Sequence, residues 1–172
     1  AGLRRLPLQK KIGAALTEEE FRIKASEGKI GHAGLRESVA LVADTVGWNL
    51  DDIRQNIQPV IAHEFVKSEY FEIPPGRVTG LRQTASGFAG NTELVNLHLE
   101  MYVGARNSVD SIYIDGTPDV QMQVPGGLHG DLATASIVVN MIPRVLSASP
   151  GLKTMATLPP PASYVNDIRK HL

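Results

Sequence analysis

The chain contains no cysteine, which excludes disulfides, thiolate metal sites and cysteine nucleophiles. It also lacks an excess of charge. Seventeen Lys and Arg stand against 18 Asp and Glu, for a formal net charge of −1, and no basic block interrupts the pattern. That balance argues against nucleic acid as the main partner. No apolar run reaches the roughly 18 residues that a membrane helix requires. The opening residues carry Arg and Lys with no apolar signal core behind them, so a secretory leader is not indicated and a cytoplasmic protein is the expectation. There is no initiator Met. The start reads either as a piece of a longer polypeptide or as the product of Met removal before Ala1. Internal repeats and low-complexity segments are absent. So are G-x-G-x-x-G, the Walker A pattern and any local signature of a Ser/His/Asp triad.

What is present is a chain of 172 residues, long enough for one domain with a core. Residues 1–16 read as extended or irregular. Thr17 followed by Glu20 forms a capping box, so a short helix should follow and end by Gly28. Leu35, Val39, Val42 and Val46 recur at helical spacing over 34–46, and Gly47 ends that helix. From Ile53 the pattern becomes β-like, over 53–62, 63–73 and 77–88, with Pro74, Pro75 and Gly76 as a break. The clearest strand alternates Val95, Leu97, Leu99, Met101 and Val103 with Asn96, His98, Glu100 and Tyr102. Residues 109–115 and 120–124 form a hairpin across a turn ending at Pro118. Short links between strands make the pairing mostly antiparallel. The sum is an α+β fold: a mostly antiparallel sheet of about five or six strands with helices on one face.

The stretch over 126–146 combines a glycine turn with a helix apolar on nearly every side, which predicts a buried helix running from Asp131 to about Ser147, with Pro143 either kinking it or marking its last turns. Gly126, Gly127 and Gly130 suggest a phosphate loop, but their spacing fits no phosphate motif and Asp131 stands where an anion would sit. Asp131 is better explained by satisfying the N–H groups of the helix start. His129 has either a turn-forming role or that of a general acid or base. Ala133 and Thr134 are small enough to let a flat ligand or another surface approach closely, and helix packing explains them equally well. Asn140 needs hydrogen-bond partners if buried. Elsewhere, His98 and Glu100 share a strand face, but two ligands do not make a metal site. Arg82 suits a bidentate grip on a substrate carboxylate, or is an ordinary surface arginine. His32 and Ser38 frame the start of the helix over 34–46.

Three blocks, in order, carry a family resemblance. They are Lys29-Ile-Gly-His-Ala-Gly-Leu-Arg-Glu-Ser-Val-Ala-Leu, then Pro75-Gly-Arg-Val-Thr-Gly-Leu-Arg-Gln-Thr-Ala-Ser-Gly, then Gly126-Gly-Leu-His-Gly-Asp-Leu-Ala-Thr-Ala-Ser-Ile-Val-Val-Asn-Met-Ile-Pro-Arg-Val with Ser149-Pro-Gly-Leu beyond it. Together they resemble the C-terminal domain of the 2,4-diaminopentanoate dehydrogenases and related NAD(P)H-dependent amine dehydrogenases, which are relatives of dihydrodipicolinate reductase. The resemblance implies an N-terminal Rossmann domain that binds NAD or NADP, and a C-terminal α+β domain that supplies the substrate pocket and the dimer interface. The implied reaction is reversible oxidative deamination of an amine or diamino acid. In that frame His129 is the catalytic candidate. Arg82, His98 and Asp131 are substrate-side candidates, Ala133 and Thr134 face the nicotinamide, and the polar sheet face meets a second subunit.

No nucleotide-binding half is present in this sequence, and the family's catalytic carboxylate belongs to that half, so the chain by itself is expected to be inactive. A hydride-transfer enzyme must hold cofactor against substrate. Two other readings stay open: a stand-alone, non-catalytic dimerisation or ligand-binding module, and a dihydrodipicolinate reductase-type imine or enamine reductase. Neither nucleic acid nor membrane is expected as a partner.

Overall fold

The computed structural model describes residues 5–164 and 167–171. In chain order the helices α1 (Leu6–Lys11), α2 (Glu18–Ser26) and α3 (Leu35–Val46) are followed by seven strands. These are β1 (Asp52–Ile61), β2 (Val66–Lys67), β3 (Glu72–Ile73), β4 (Val78–Ala89), β5 (Thr92–Tyr102), β6 (Val109–Ile114) and β7 (Val120–Pro125). Helix α4 (Gly130–Leu146) and a short 3-10 turn (Ile168–His171) complete the described elements. The chain divides into two compact units, residues 1–106 and 107–172.

In the first unit, β1, β4 and β5 form an antiparallel sheet with β4 in the centre. The alternation that marks β5 as a strand also sorts its faces. Val95 and Val103 are buried, whereas Asn96, His98 and Glu100 are exposed. Helices α2 and α3 cover the apolar face, α2 against β1 and α3 against all three strands. Beneath them lie two clusters. One gathers Ile12, Phe21, Ile30, Val78 and Leu81. The other gathers Leu35, Val39, Ala43, Ala85 and Val95. A third, smaller cluster of Ala14, Ala62, Ile73 and Val103 lies around the β2–β3 ribbon's side of the unit. Burying a side chain such as Phe21 or Leu81 contributes about 1.5–3 kcal/mol.

The Thr17 capping box forms as the sequence predicts. The Glu20 N–H donates to Thr17 Oγ1 at 3.1 Å, and the Thr17 N–H donates to Glu20 Oε2 at 2.8 Å. Helix α3 likewise ends at Gly47.

Four expectations change. Residues 6–11 are helical rather than extended, because Pro7 stands at the helix start, where its missing N–H costs nothing. The segment 63–73 is not one strand but the short ribbon β2–β3, with Lys67 opposite Glu72 and Val66 opposite Ile73. The strands divide among three antiparallel sheets, β1–β4–β5, β2–β3 and β6–β7, rather than one.

The fourth change is the largest. Helix α4 is not buried. Among its residues only Met141 and Pro143 are buried, whereas Leu132, Val138 and Leu146 are 68%, 62% and 66% exposed. The composition that predicts burial is there, but the described chain does not supply the cover.

Candidate functional site

In the second unit the glycine turn before α4 is built by two backbone conformations and one carboxylate. Gly126 and Gly127 have φ of +84° and +68°, in the left-handed region that side chains disfavour. The Gly126 N–H donates to the Ser108 carbonyl at 2.8 Å and the Gly127 N–H to the Val124 carbonyl at 3.0 Å, so the turn folds back onto the ends of the β6–β7 ribbon. Asp110 on β6 then takes the Leu128 N–H on Oδ2 at 2.7 Å. A Cβ at Gly127 would lie 3.6 Å from that same oxygen. Asp110 therefore holds the turn in place, and the sequence offers no local signal for it, since its partner lies 18 positions away.

Helix α4 starts at Gly130 with His129 as its N-cap residue. The His129 backbone is extended, and its side chain makes no capping bond. The Ala133 N–H donates to the His129 carbonyl at 2.9 Å, closing the first helical turn. The imidazole is therefore fixed at its root by the backbone while remaining exposed. Asp131 sits in the first turn, where a carboxylate complements the positive end of the helix. Thr134 is exposed and Ala133 partly so, one turn into the helix. At the far end the Pro143 carbonyl accepts both the Ser147 N–H at 3.2 Å and Ser147 Oγ at 2.8 Å, which closes the last turn.

The chemistry of this end is anionic and compact. Its available amide at Leu128 is taken by Asp110, and Asp131 adds negative charge at the helix start. Such a turn is a poor seat for a pyrophosphate.

The first unit holds the remaining candidates. Arg82 on β4 and Glu100 on β5 are register partners, and Arg82 Nε donates to Glu100 Oε1 at 2.5 Å. The same oxygen lies 3.1 Å from His98 Nε2. The Arg82 guanidinium, seconded by the His98 ring, holds the Glu100 carboxyl below the ordinary carboxylate range. Arg82 and His98 thus share one carboxylate of their own chain on the outer sheet face, an ion-pair network that the sequence did not reveal because cross-strand register decides it. His129, Asp131, Ala133 and Thr134 form the other group, on consecutive positions of the second unit.

The family model described as the 2,4-diaminopentanoate dehydrogenase C-terminal domain matches residues 7–172. The chain belongs to that family. Among curated proteins it is similar to the 2,4-diaminopentanoate dehydrogenase of Acetoanaerobium sticklandii, at 34% identity over 168 residues, covering 91% of this chain and 46% of the relative. Among solved structures it is similar in fold to the amine dehydrogenase of Mycobacterium smegmatis, with a TM-score of 0.74 at 21% identity, covering 91% of this chain and 47% of that one. The chain thus spans about half the length of each relative. The chain shares the α+β architecture of that structural relative, and both relatives bear the name dehydrogenase. No helix among the described residues is long and apolar enough to cross a membrane.

Proposed function

We propose that this chain is the substrate-side and dimerisation part of an NAD(P)-dependent oxidoreductase acting on the CH–NH2 group of an amine or diamino acid. The family match over residues 7–172 carries the reading. The exposed apolar surface of α4 supports it, since such a surface calls for a cover that the described chain does not provide. On this reading a nucleotide-binding half accompanies the chain, the enzyme is cytoplasmic, and the outer face of the β1–β4–β5 sheet meets a second subunit.

The residues at the start of α4 fit the nicotinamide end of NAD or NADP and not its phosphates, as the charge of the turn requires. When bound, the nicotinamide would supply hydride exchange at the carbon that bears nitrogen, taking hydride from the amine or giving it to the imine that ketone and ammonia form with loss of water. The chain's own residues do the rest. Asp131 favours a cationic amine near the helix start. Ala133 and Thr134 leave room for a flat ring and offer one hydroxyl. His129, rooted at the N-cap with its ring exposed, exchanges a proton with the substrate nitrogen. Arg82 and His98 act on the substrate side only if Glu100 releases them.

NAD(P)H consumption with ammonia and a small ketone tests the reading. Turnover is expected from the full-length enzyme and not from this chain alone. Turnover by the chain alone would overturn the two-part reading, and none from the full-length enzyme would favour a non-catalytic module. Full turnover in a His129→Ala, Thr134→Val double variant of the full-length enzyme would remove the site assignment.

A further inference from the structure

The two edges of the β1–β4–β5 sheet are built differently. β1 and β5 are its outer strands, 10 and 11 residues long. An outer strand presents a row of unpaired N–H and C=O groups, and proteins blunt such a row with proline or a break in register. β1 has both. Pro59 interrupts its donors, and its register against β4 slips between Val60 and Ile61. β5 has no proline, and its register against β4 is unbroken from Val95 to Tyr102. Among the described residues no further strand pairs with it.

The direction of the open row follows from one bond. The Val103 N–H donates to the Thr79 carbonyl at 2.9 Å, so Val103 turns its backbone groups towards β4. Alternation along an antiparallel strand turns those of Leu97, Leu99 and Met101 the same way, and those of Asn96, His98, Glu100 and Tyr102 outward. The side chains also stop short at this edge. Leu97, Leu99 and Met101 pack against the apolar clusters yet are only partly buried.

A second copy of the same strand, running antiparallel across a two-fold axis, supplies both missing parts. With the axis at Leu99, that residue meets its own copy, Leu97 meets Met101 and Val95 meets Val103 on the apolar side. On the polar side Asn96 meets Tyr102 and His98 meets Glu100. Neighbouring registers match less well. An axis at Glu100 sets two carboxylates opposite each other, one at His98 sets two imidazoles opposite each other, and one at Leu97 sets Glu100 against Leu94. The Leu99 axis places an imidazole opposite a carboxylate twice, the arrangement that favours a cross-strand pair.

We propose that β5 pairs with β5 of a second copy about Leu99, joining two three-stranded sheets into one continuous sheet. The proposal rests on the dimerisation reading above, and adds the edge of the sheet to the face named there.

The test uses the full-length enzyme with single cysteines introduced into β5, which has none of its own. Opposed residues that exchange no hydrogen bond lie about 4.5 Å apart between Cα atoms, a span that a disulfide closes. Leu99→Cys is expected to give a disulfide-linked dimer on mild oxidation, above the wild-type background. Leu97→Cys and Met101→Cys are expected not to cross-link singly, but to do so when the two variants are co-expressed. His98→Pro removes an outward N–H and leaves the bonds to β4 in place. It should raise the dimer dissociation constant about hundredfold, because two symmetry-related bonds are lost at once. His98→Glu sets like charges opposite each other and should weaken the dimer in the same direction, which keeps the test open if the proline variant does not fold. A wild-type dimer in which Leu99→Cys does not cross-link, in which Leu97→Cys or Met101→Cys cross-links alone, or which both His98 variants leave as tight as before would overturn the proposal and leave the dimerisation reading intact. A monomeric wild-type enzyme would overturn both.

Discussion

Residues up to 106 bury their apolar side chains against one another, whereas those from 107 on present many of theirs to solvent. Strand β4 in the first unit has Val78, Leu81 and Ala85 fully buried beneath α2 and α3. Ribbon β6–β7 in the second unit pairs Ile112 with Met122 and Ile114 with Val120 on one face, and all four are exposed. Helix α4 repeats the contrast with Leu132, Val138 and Leu146. The hydrophobic patterns are of the same kind in both units. They report that a face needs a partner, and say nothing of whether the partner is in the chain.

The sharpest way to test this contrast is to truncate one side chain from the buried set. Phe21→Ala should destabilise the chain by about 3–5 kcal/mol, because a fully buried aromatic leaves a cavity under α2 that the sheet cannot fill. Urea unfolding measures it. A cost below about 1 kcal/mol would mean that the first unit is not the stable part of the molecule.

A smaller effect is expected from the cap of α2. Thr17→Ala removes the side-chain acceptor for the Glu20 N–H, and should cost about 1 kcal/mol, read as a fall in Tm. Thr17→Ser should restore most of it, because the hydroxyl is what accepts.

These two substitutions fall where the sequence was legible. The capping box, the helix ending at Gly47 and the alternation in β5 are local patterns, fixed by residues within a few positions of one another. The three sequence blocks were enough to indicate the family, and the strand alternation with its short links indicated the antiparallel pairing and the mixed α+β class. What stayed hidden was non-local. Asp110 reaches the Leu128 amide across a ribbon, Arg82 meets Glu100 only through strand register, and Gln83 reads as one more polar strand residue until its two bonds to His32 are seen. The burial expected for α4 failed for a different reason, since composition describes an interface and a core in the same letters.

Acid titration separates the outer sheet face from the core beneath it. Arg82 first, and His98 after it, hold the Glu100 carboxyl below its ordinary range. The folded carboxyl therefore binds its proton at lower pH than the unfolded one. The network stabilises the fold at pH values above the ordinary carboxylate range, and that contribution is lost as pH falls through the lowered folded value. Both partners are substantially exposed, so the effect is about 0–1 kcal/mol. Glu100→Gln should match wild type in acid and fall slightly below it at neutral pH, by urea unfolding at each. A difference that grows toward acid would reverse the assignment.

The smallest effect is expected where the sequence most strongly suggests a core. Leu132→Ser changes a residue 68% exposed on α4, so in this chain it should alter unfolding stability by no more than about 0.5 kcal/mol, as for other surface positions. The same change in a buried helix would cost several times that, since it removes apolar burial and adds a hydroxyl that needs a partner. The comparison becomes decisive when the substitution is repeated in the full-length enzyme. If another part of the protein or a second subunit covers α4, Leu132→Ser should leave the chain unchanged and lower the Tm of the assembled enzyme. Equal, negligible effects in both would mean that this side of α4 faces solvent throughout. A large loss in the chain alone would show that α4 is covered from within it, and the contrast between the two units would fall.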